Sequence, residues 1–304
     1  MKLVSFVHGG QPAFGAVKAG GVVNLAPHFA GHGITTLRGL LAAGKLEAAR
    51  IIAEGATVDL PLDGATFLPV IPDPDKIICI GLNYADHVAE TGRTVTEKPA
   101  LFARFAGSQV GHLGAMVKPS CSDQLDYEGE LAVVIGRAGR HIPEDQALGH
   151  VAGYSCYNEG SVRDWQRHTS QFLAGKTFAA TGAFGPWLVT TDELPDPSVL
   201  AIETRVNGAV VQQGNTGQMI TGVPGLIAYC STILPLLPGD VIVTGTPAGV
   251  GAKRIPPLWL RAGDVVEVEI ERIGCLRNPV VNEAARDAPA AARMPDPAMV
   301  PATA

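Results

Sequence analysis

The sequence predicts a β-rich, mixed α+β fold, and three observations carry that prediction. The 304-residue chain holds 36 glycines and 23 prolines, enough to divide it into many turns. Its apolar runs are short, rich in β-branched residues and closed by turn residues, as strands are. An Asn207-Gly208 pair lies between β-branched flanks within residues 200–211, the pattern of a two-residue hairpin turn.

The elements follow along the chain. Residues 2–7 and 14–25 read as short strands with Gly-rich turns. Residues 36–53 place Leu37, Leu40, Leu41, Leu46 and Ile51 at helical spacing. Residues 1–70 are expected to form a small N-terminal domain, and the Pro/Asp-rich stretch 69–75 marks its boundary. Residues 71–283 would then be the larger domain. It opens with a buried strand over 76–82, followed by a polar stretch in which 84–90 suits a short helix. Residues 126–136 read as a strand, because 131–135 is an apolar, β-branched run ended by Gly136. Residues 218–234 suit a helix with Pro224 near its start. Pro238-Gly239-Asp240 turns into a strand at 241–244, and Gly263-Asp264 into one at 265–273. Residues 284–304 are rich in Ala and Pro without periodicity and read as a mobile tail.

Composition bounds the function. Formal net charge is -6 and no basic run occurs, which argues against nucleic acid or an anionic membrane as the main partner. The 5 cysteines are odd in number, widely spaced and free of any C-x-x-C, which suits a reducing compartment such as the cytoplasm. The first residues lack an apolar run long enough for a signal peptide, and no stretch reaches the ~18 apolar residues of a membrane span.

The chemistry concentrates in a few places. On a strand, Asp126, Glu128 and Glu130 would share one face beside a run that wants burial. Like charges there repel, and desolvation makes each harder to ionise, so a bound divalent cation is one way to neutralise them. The alternative is a solvated edge-strand face with protons, Lys or Arg as partners. Glu159, in Asn158-Glu159-Gly160-Ser161-Val162-Arg163, could add a third carboxylate, or it could mark a capped helix start. A carboxylate site without Cys or His suits hard cations: Mg²⁺, Mn²⁺ or Ca²⁺. His87 and Glu90 lie three apart, side by side on a helix, as a base that acts on water requires. Lys176 lies among small and apolar residues and could hold a carboxylate or a developing enolate. The Gly-rich turn 244–251, with Thr246, could bind an anion but lacks a P-loop lysine.

Taken in order, these motifs resemble the fumarylacetoacetate hydrolase family. The matching pieces include Gly81-Leu82-Asn83-Tyr84-Ala85-Asp86-His87, Asp126-Tyr127-Glu128-Gly129-Glu130, Arg163-Asp164-Trp165-Gln166, Gly175-Lys176-Thr177-Phe178 and Thr244-Gly245-Thr246-Pro247. They cover about residues 76–283. The resemblance implies a β-sandwich roll preceded by a small N-terminal α+β domain, assembled as a homodimer. It implies a Mg²⁺ or Mn²⁺ held by Glu128, Glu130 and Glu159, with Glu159 standing where the family has Asp. It makes His87 and Glu90 the water-activating pair, on a lid over about residues 85–98. Tyr84, Arg163, Gln166, Lys176 and Thr246 would contact a small 2-oxo or 1,3-diketo acid. The activity expected first is hydrolysis of a carbon–carbon bond in an acylpyruvate-type acid, in aromatic or related catabolism. Close alternatives are decarboxylation of an oxaloacetate-type acid and tautomerisation or isomerisation of a hydroxy-dienoate. A non-catalytic carboxylate-binding protein is the alternative of another class. Residues 102–105, 165–172 and 184–187 are expected to shape the pocket.

Overall fold

A computed structural model describes residues 1–284. The Ala/Pro-rich tail expected from the sequence lies, beyond Ala284, outside the described residues.

Two sheets enclose the main core. The large one runs, edge to edge, through Leu60–Pro61, Gly21–Asn24, Gln11–Lys18, Lys2–His8, Gly182–Thr190, Val151–Asn158, Gly129–Ile135, Val241–Val243, Ile77–Gly81 and Ala100–Arg104. Its pairs on this path are antiparallel except Val241–Val243 with Ile77–Gly81. The smaller sheet runs through Ala209–Asn215, Ala201–Val206, Val265–Ile270, Gly274–Asn282 and Met116–Lys118. Alternation along Gly129–Ile135 explains why every residue in it is buried. Leu131, Val133 and Ile135 face a core shared with Ile202, Val266, Val268 and Leu276 of the smaller sheet. Ala132 and Val134 face a second core filled by Leu37, Leu40 and Leu41.

The N-terminal 70 residues extend the large sheet: Lys2 and Leu3 pair with Val189 and Leu188. Leu3, Phe14 and Ile71 pack in one cluster with Ile77 and Cys79. The helical stretch at 36–53 forms as two helices, Leu37–Ala42 and Leu46–Gly55, because Gly44 takes a left-handed φ of 62° between them. The hairpin expected at Asn207-Gly208 forms with both residues left-handed, φ 53° and 78°. The helix expected at 218–234 starts later, at Val223, with Pro224 in its first turn. Among the described residues, no helix is long and apolar enough to cross a membrane.

One correction bears on the site. Residues 126–136 are not a single strand. Leu125–Asp126 pairs with Ser161–Val162, and the longer strand starts only at Gly129. Tyr127 and Glu128 bridge the two, held where the Glu128 amide donates to Asn158 Oδ1 at 3.1 Å and the Glu128 carbonyl accepts from the Glu159 amide at 2.8 Å. Asp126 is not part of the carboxylate cluster that Glu128 and Glu130 join.

A carboxylate-lined candidate active site

The ends of Ile77–Gly81, Gly129–Ile135 and Val151–Asn158 open into a cavity of about 560 Å³. Glu128, Glu130 and Glu159 form its floor, each offering an oxygen within 4.8 Å of the others, and all three are buried. Glu159 follows directly on its strand in a turn with no room for a side chain at the next residue. A Cβ on Gly160 would lie 1.9 Å from the Thr181 carbonyl oxygen.

Two buried cations balance these acids. The Lys176 ammonium lies 2.5 Å from Glu128 Oε2 and 2.9 Å from Glu159 Oε2. Arg163 reaches Glu128 Oε1 at 2.6 Å and Asp126 Oδ2 at 2.8 Å. Burial alone would raise the Glu128 carboxyl, but Lys176 and Arg163 outweigh it and hold that group well below the usual carboxylate range. Glu130 goes the other way. Burial, then the adjacent Glu159 and Glu128, push it well above the usual range, against a 2.5 Å hydrogen bond from the Gly245 amide. Lys176 is raised because its two carboxylates outweigh its desolvation.

This donor set fits a hard divalent cation. All three donors are carboxylates, and the buried Glu159 Oε1 accepts no hydrogen bond. The burial and repulsion that push the Glu130 carboxyl up are what a nearby double positive charge would offset.

Above the floor, helix Ala85–Thr91 carries His87 into the cavity wall. His87 Nδ1 is 2.7 Å from Glu90 Oε1, and Glu90 Oε2 accepts the Gly249 amide at 3.0 Å. Gly249 has a φ of 108°, so the loop after Val241–Val243 grips the far side of Glu90. Glu90 thus backs the imidazole, leaving Nε2 as the ring nitrogen free of that bond.

The structure brings together Glu128, Glu130, Glu159, His87, Arg163, Gln166, Lys176 and Thr246 as lining residues. Gln166 Oε1 accepts from Arg163 at 3.0 Å. Thr246 is less available than expected: its hydroxyl donates to the Gly129 carbonyl at 2.9 Å and accepts from Gln212 at 2.8 Å. Tyr84 is not in the wall at all. It is fully buried at the start of helix Ala85–Thr91, where its backbone pairs with Met219 and its hydroxyl has no hydrogen-bond partner. Asp126 accepts the Gly251 and Ala252 amides at 2.8 and 2.9 Å, and so ties Arg163 to that loop. Of the segments expected to shape the pocket, Phe102, Gln166, Arg167, Thr169, Ser170 and Phe172 line it, and residues 184–187 do not.

Sequence reasoning missed three residues that hold the site from behind. Arg104 is fully buried and donates to the Gly160 carbonyl at 2.9 Å and to Thr181 Oγ1 at 3.0 Å, fixing the turn that carries Glu159. Asn83 joins the Thr221 and Thr244 carbonyls, and Gln212 joins the Gly129 amide to Thr246. Only the burial of Arg104, invisible in one sequence, distinguishes it from a surface arginine.

A buried triad of carboxylates, two compensating cations and a backed histidine share one cavity, a set of groups that could hold a divalent metal. The chain belongs to the fumarylacetoacetate hydrolase family: the model described as fumarylacetoacetate (FAA) hydrolase C-terminal matches residues 76–281. Oxaloacetate tautomerase FAHD2A, mitochondrial, of Homo sapiens is 48% identical over 224 residues, covering 73% of this chain and 71% of that protein. Fumarylacetoacetate hydrolase of Exiguobacterium antarcticum superposes with a TM-score of 0.78 at 36% identity, covering 93% of this chain and 100% of that one. Maleylpyruvate hydrolase of Sphingobium sp. SYK-6, solved with manganese(II) and pyruvate, gives 0.77 at 26% identity, also over 93% and 100%.

Proposed function

We propose that this enzyme interconverts the enol and keto forms of a short 2-oxo acid of the oxaloacetate type, with Mg²⁺ or Mn²⁺ held by Glu128, Glu130 and Glu159. The observation that carries this choice is the 48% identity to an oxaloacetate tautomerase, against 36% and 26% to the hydrolases above. The carbon–carbon hydrolysis that the motifs first suggested therefore takes second place. It keeps one observation in its favour, the His87–Glu90 pair suited to activating water.

When bound, the cation supplies Lewis-acid stabilisation to an enolate oxygen. The protein supplies the rest. Lys176 and Arg163 put fixed positive charge beside the carboxylate floor, where negative charge develops on the substrate. Tautomerisation moves one proton, which leaves the enol oxygen and arrives at C3. His87 is the group to hold that proton at Nε2, because Glu90 fixes its other nitrogen and steadies the imidazolium. Phe102 and Phe172 line the same cavity and keep part of its wall dry.

The test sets three reactions side by side on Mg²⁺-loaded protein: enol-to-keto conversion of oxaloacetate, its decarboxylation, and cleavage of an acylpyruvate. Tautomerisation is expected to show the highest kcat/KM, and His87→Ala to lower it by orders of magnitude while Mg²⁺ binding persists. Acylpyruvate cleavage with the higher kcat/KM reverses the order of the two readings.

A further inference from the structure

The cavity is larger than a short acid needs. At about 560 Å³ it lies in the range that holds ligands of drug size. The wall beside its carboxylate floor is aromatic. The Lys176 ammonium, 2.5 and 2.9 Å from Glu128 and Glu159, lies 5.3 Å from the centroid of Phe102. Phe102 meets Phe172 edge-on at 5.7 Å. Both rings close over Gly81, where a Cβ would come within 3.5 Å of Phe172 and 3.7 Å of Phe102. The Arg93 guanidinium covers one face of Phe172, 5.5 Å from its centroid, and holds that ring in place.

Two apolar side chains of this cavity contribute to no core. Phe172 and Leu82 are half-buried, and among the described residues neither joins a hydrophobic cluster of the fold, yet both line the cavity. Leu82 also sits at a left-handed φ of 59°. A branched apolar residue rarely adopts that conformation, and such strain gathers at sites that clamp a ligand.

We propose that Leu82, Phe102 and Phe172 form an apolar slot for an aryl group on C3, so that the enzyme also tautomerises 3-aryl-2-oxo acids. This rests on the proposed function, because the floor and its metal take the same 2-oxo acid head group. The ring of such an acid is centred about 4 Å from its carbonyl carbon, two single bonds and a ring radius away. That span is close to the 5.3 Å from the Lys176 ammonium to Phe102, so the ring comes within the roughly 4.5–7 Å at which aromatic pairs form. The reaction is unchanged: the enol O–H proton leaves, one proton arrives at C3, and no carbon–carbon bond breaks.

The experiment compares phenylpyruvate with 2-oxobutanoate, which has the same head group and a methyl in place of the ring. Affinity for Mg²⁺-loaded protein is measured by calorimetry, and turnover by C3 proton exchange into D₂O above the protein-free rate. The wild type is expected to bind phenylpyruvate about tenfold or more tighter, and to exchange its C3 protons faster. Phe172→Ala is expected to lower the affinity ratio by about fivefold, the worth of one aromatic contact, while Phe172→Tyr keeps most of it. Leu82→Gly shortens the side chain and relieves the left-handed backbone, so it should lower the ratio without lowering Tm. Equal affinity for the two acids in the wild type, or a ratio that Phe172→Ala and Leu82→Gly both leave unchanged, overturns the slot. If the ratio falls in the variants but neither acid exchanges protons, the tautomerase reading fails and the aryl-binding slot stands.

Discussion

Replacing Lys176 with Met separates the stability of the carboxylate floor from its metal affinity. The lysine lies 2.5 and 2.9 Å from two buried glutamates, and its side chain is 3% exposed. Without it Glu128 keeps Arg163 at 2.6 Å, whereas Glu159 keeps no ion pair. Two carboxylates up to 4.8 Å apart repel by about 3.5 kcal/mol at an effective dielectric constant of about 20. Removing one partner of a buried pair typically costs about 3–5 kcal/mol. In chelator, Lys176→Met is therefore expected to lower Tm by roughly 10 °C, at about 2–4 °C per kcal/mol for a chain of this class. Saturating Mg²⁺ puts positive charge back among the same oxygens, so most of that loss is expected to return. The variant also lacks a cation that repels the metal, so its Mg²⁺ affinity should rise by about tenfold or more while turnover falls. Scanning calorimetry with and without Mg²⁺, together with a calorimetric titration, measures both effects. Weaker Mg²⁺ binding, or an equal Tm loss with and without metal, would refute this account of Lys176.

Two further outcomes follow from particular contacts. Glu159→Asp withdraws the carboxylate by ~1.5 Å from a turn that Arg104 and Gly160 hold still, so it should lengthen the 2.9 Å contact with Lys176 and weaken Mg²⁺ binding by about tenfold or more. A titration showing equal or tighter binding contradicts a fixed backbone there. His112 is pushed down to about 4 from an ordinary 6.5 by burial and then by Arg277, and its Nδ1 accepts the Arg277 amide at 3.1 Å. The unfolded chain thus binds a proton between pH 6.5 and 4 that the fold refuses. This group's contribution is intact above pH 6.5 and is lost as pH falls towards 4, with a slope of at most about 1.4 kcal/mol per unit. Urea melts across that range should show a shallower loss in His112→Asn.

Much of the site was legible because its chemistry is local in sequence. Glu128 and Glu130 flank one glycine and stay close although Glu128 precedes the strand, and His87 and Glu90 lie one helical turn apart, where helix periodicity places them together. The apolar run 131–135 likewise determined a doubly buried strand, and Asn207-Gly208 determined its hairpin. What lies across the chain was not legible. That Glu159 joins the acids depends on pairing between Gly129–Ile135 and Val151–Asn158, and on a buried Arg104 from a distant edge strand. That Asp126 leaves them depends on amides at 251 and 252, which no local pattern foretells. Tyr84 belongs to a matching motif, and its full burial is a property of the packed sheets and not of the segment. The sequence by itself determined which groups carry charge and which short segments hold them in register. Tertiary structure decided which of those charges share one desolvated cavity and which do not, because electrostatic coupling depends on distance and solvent exclusion that only the assembled sheets create.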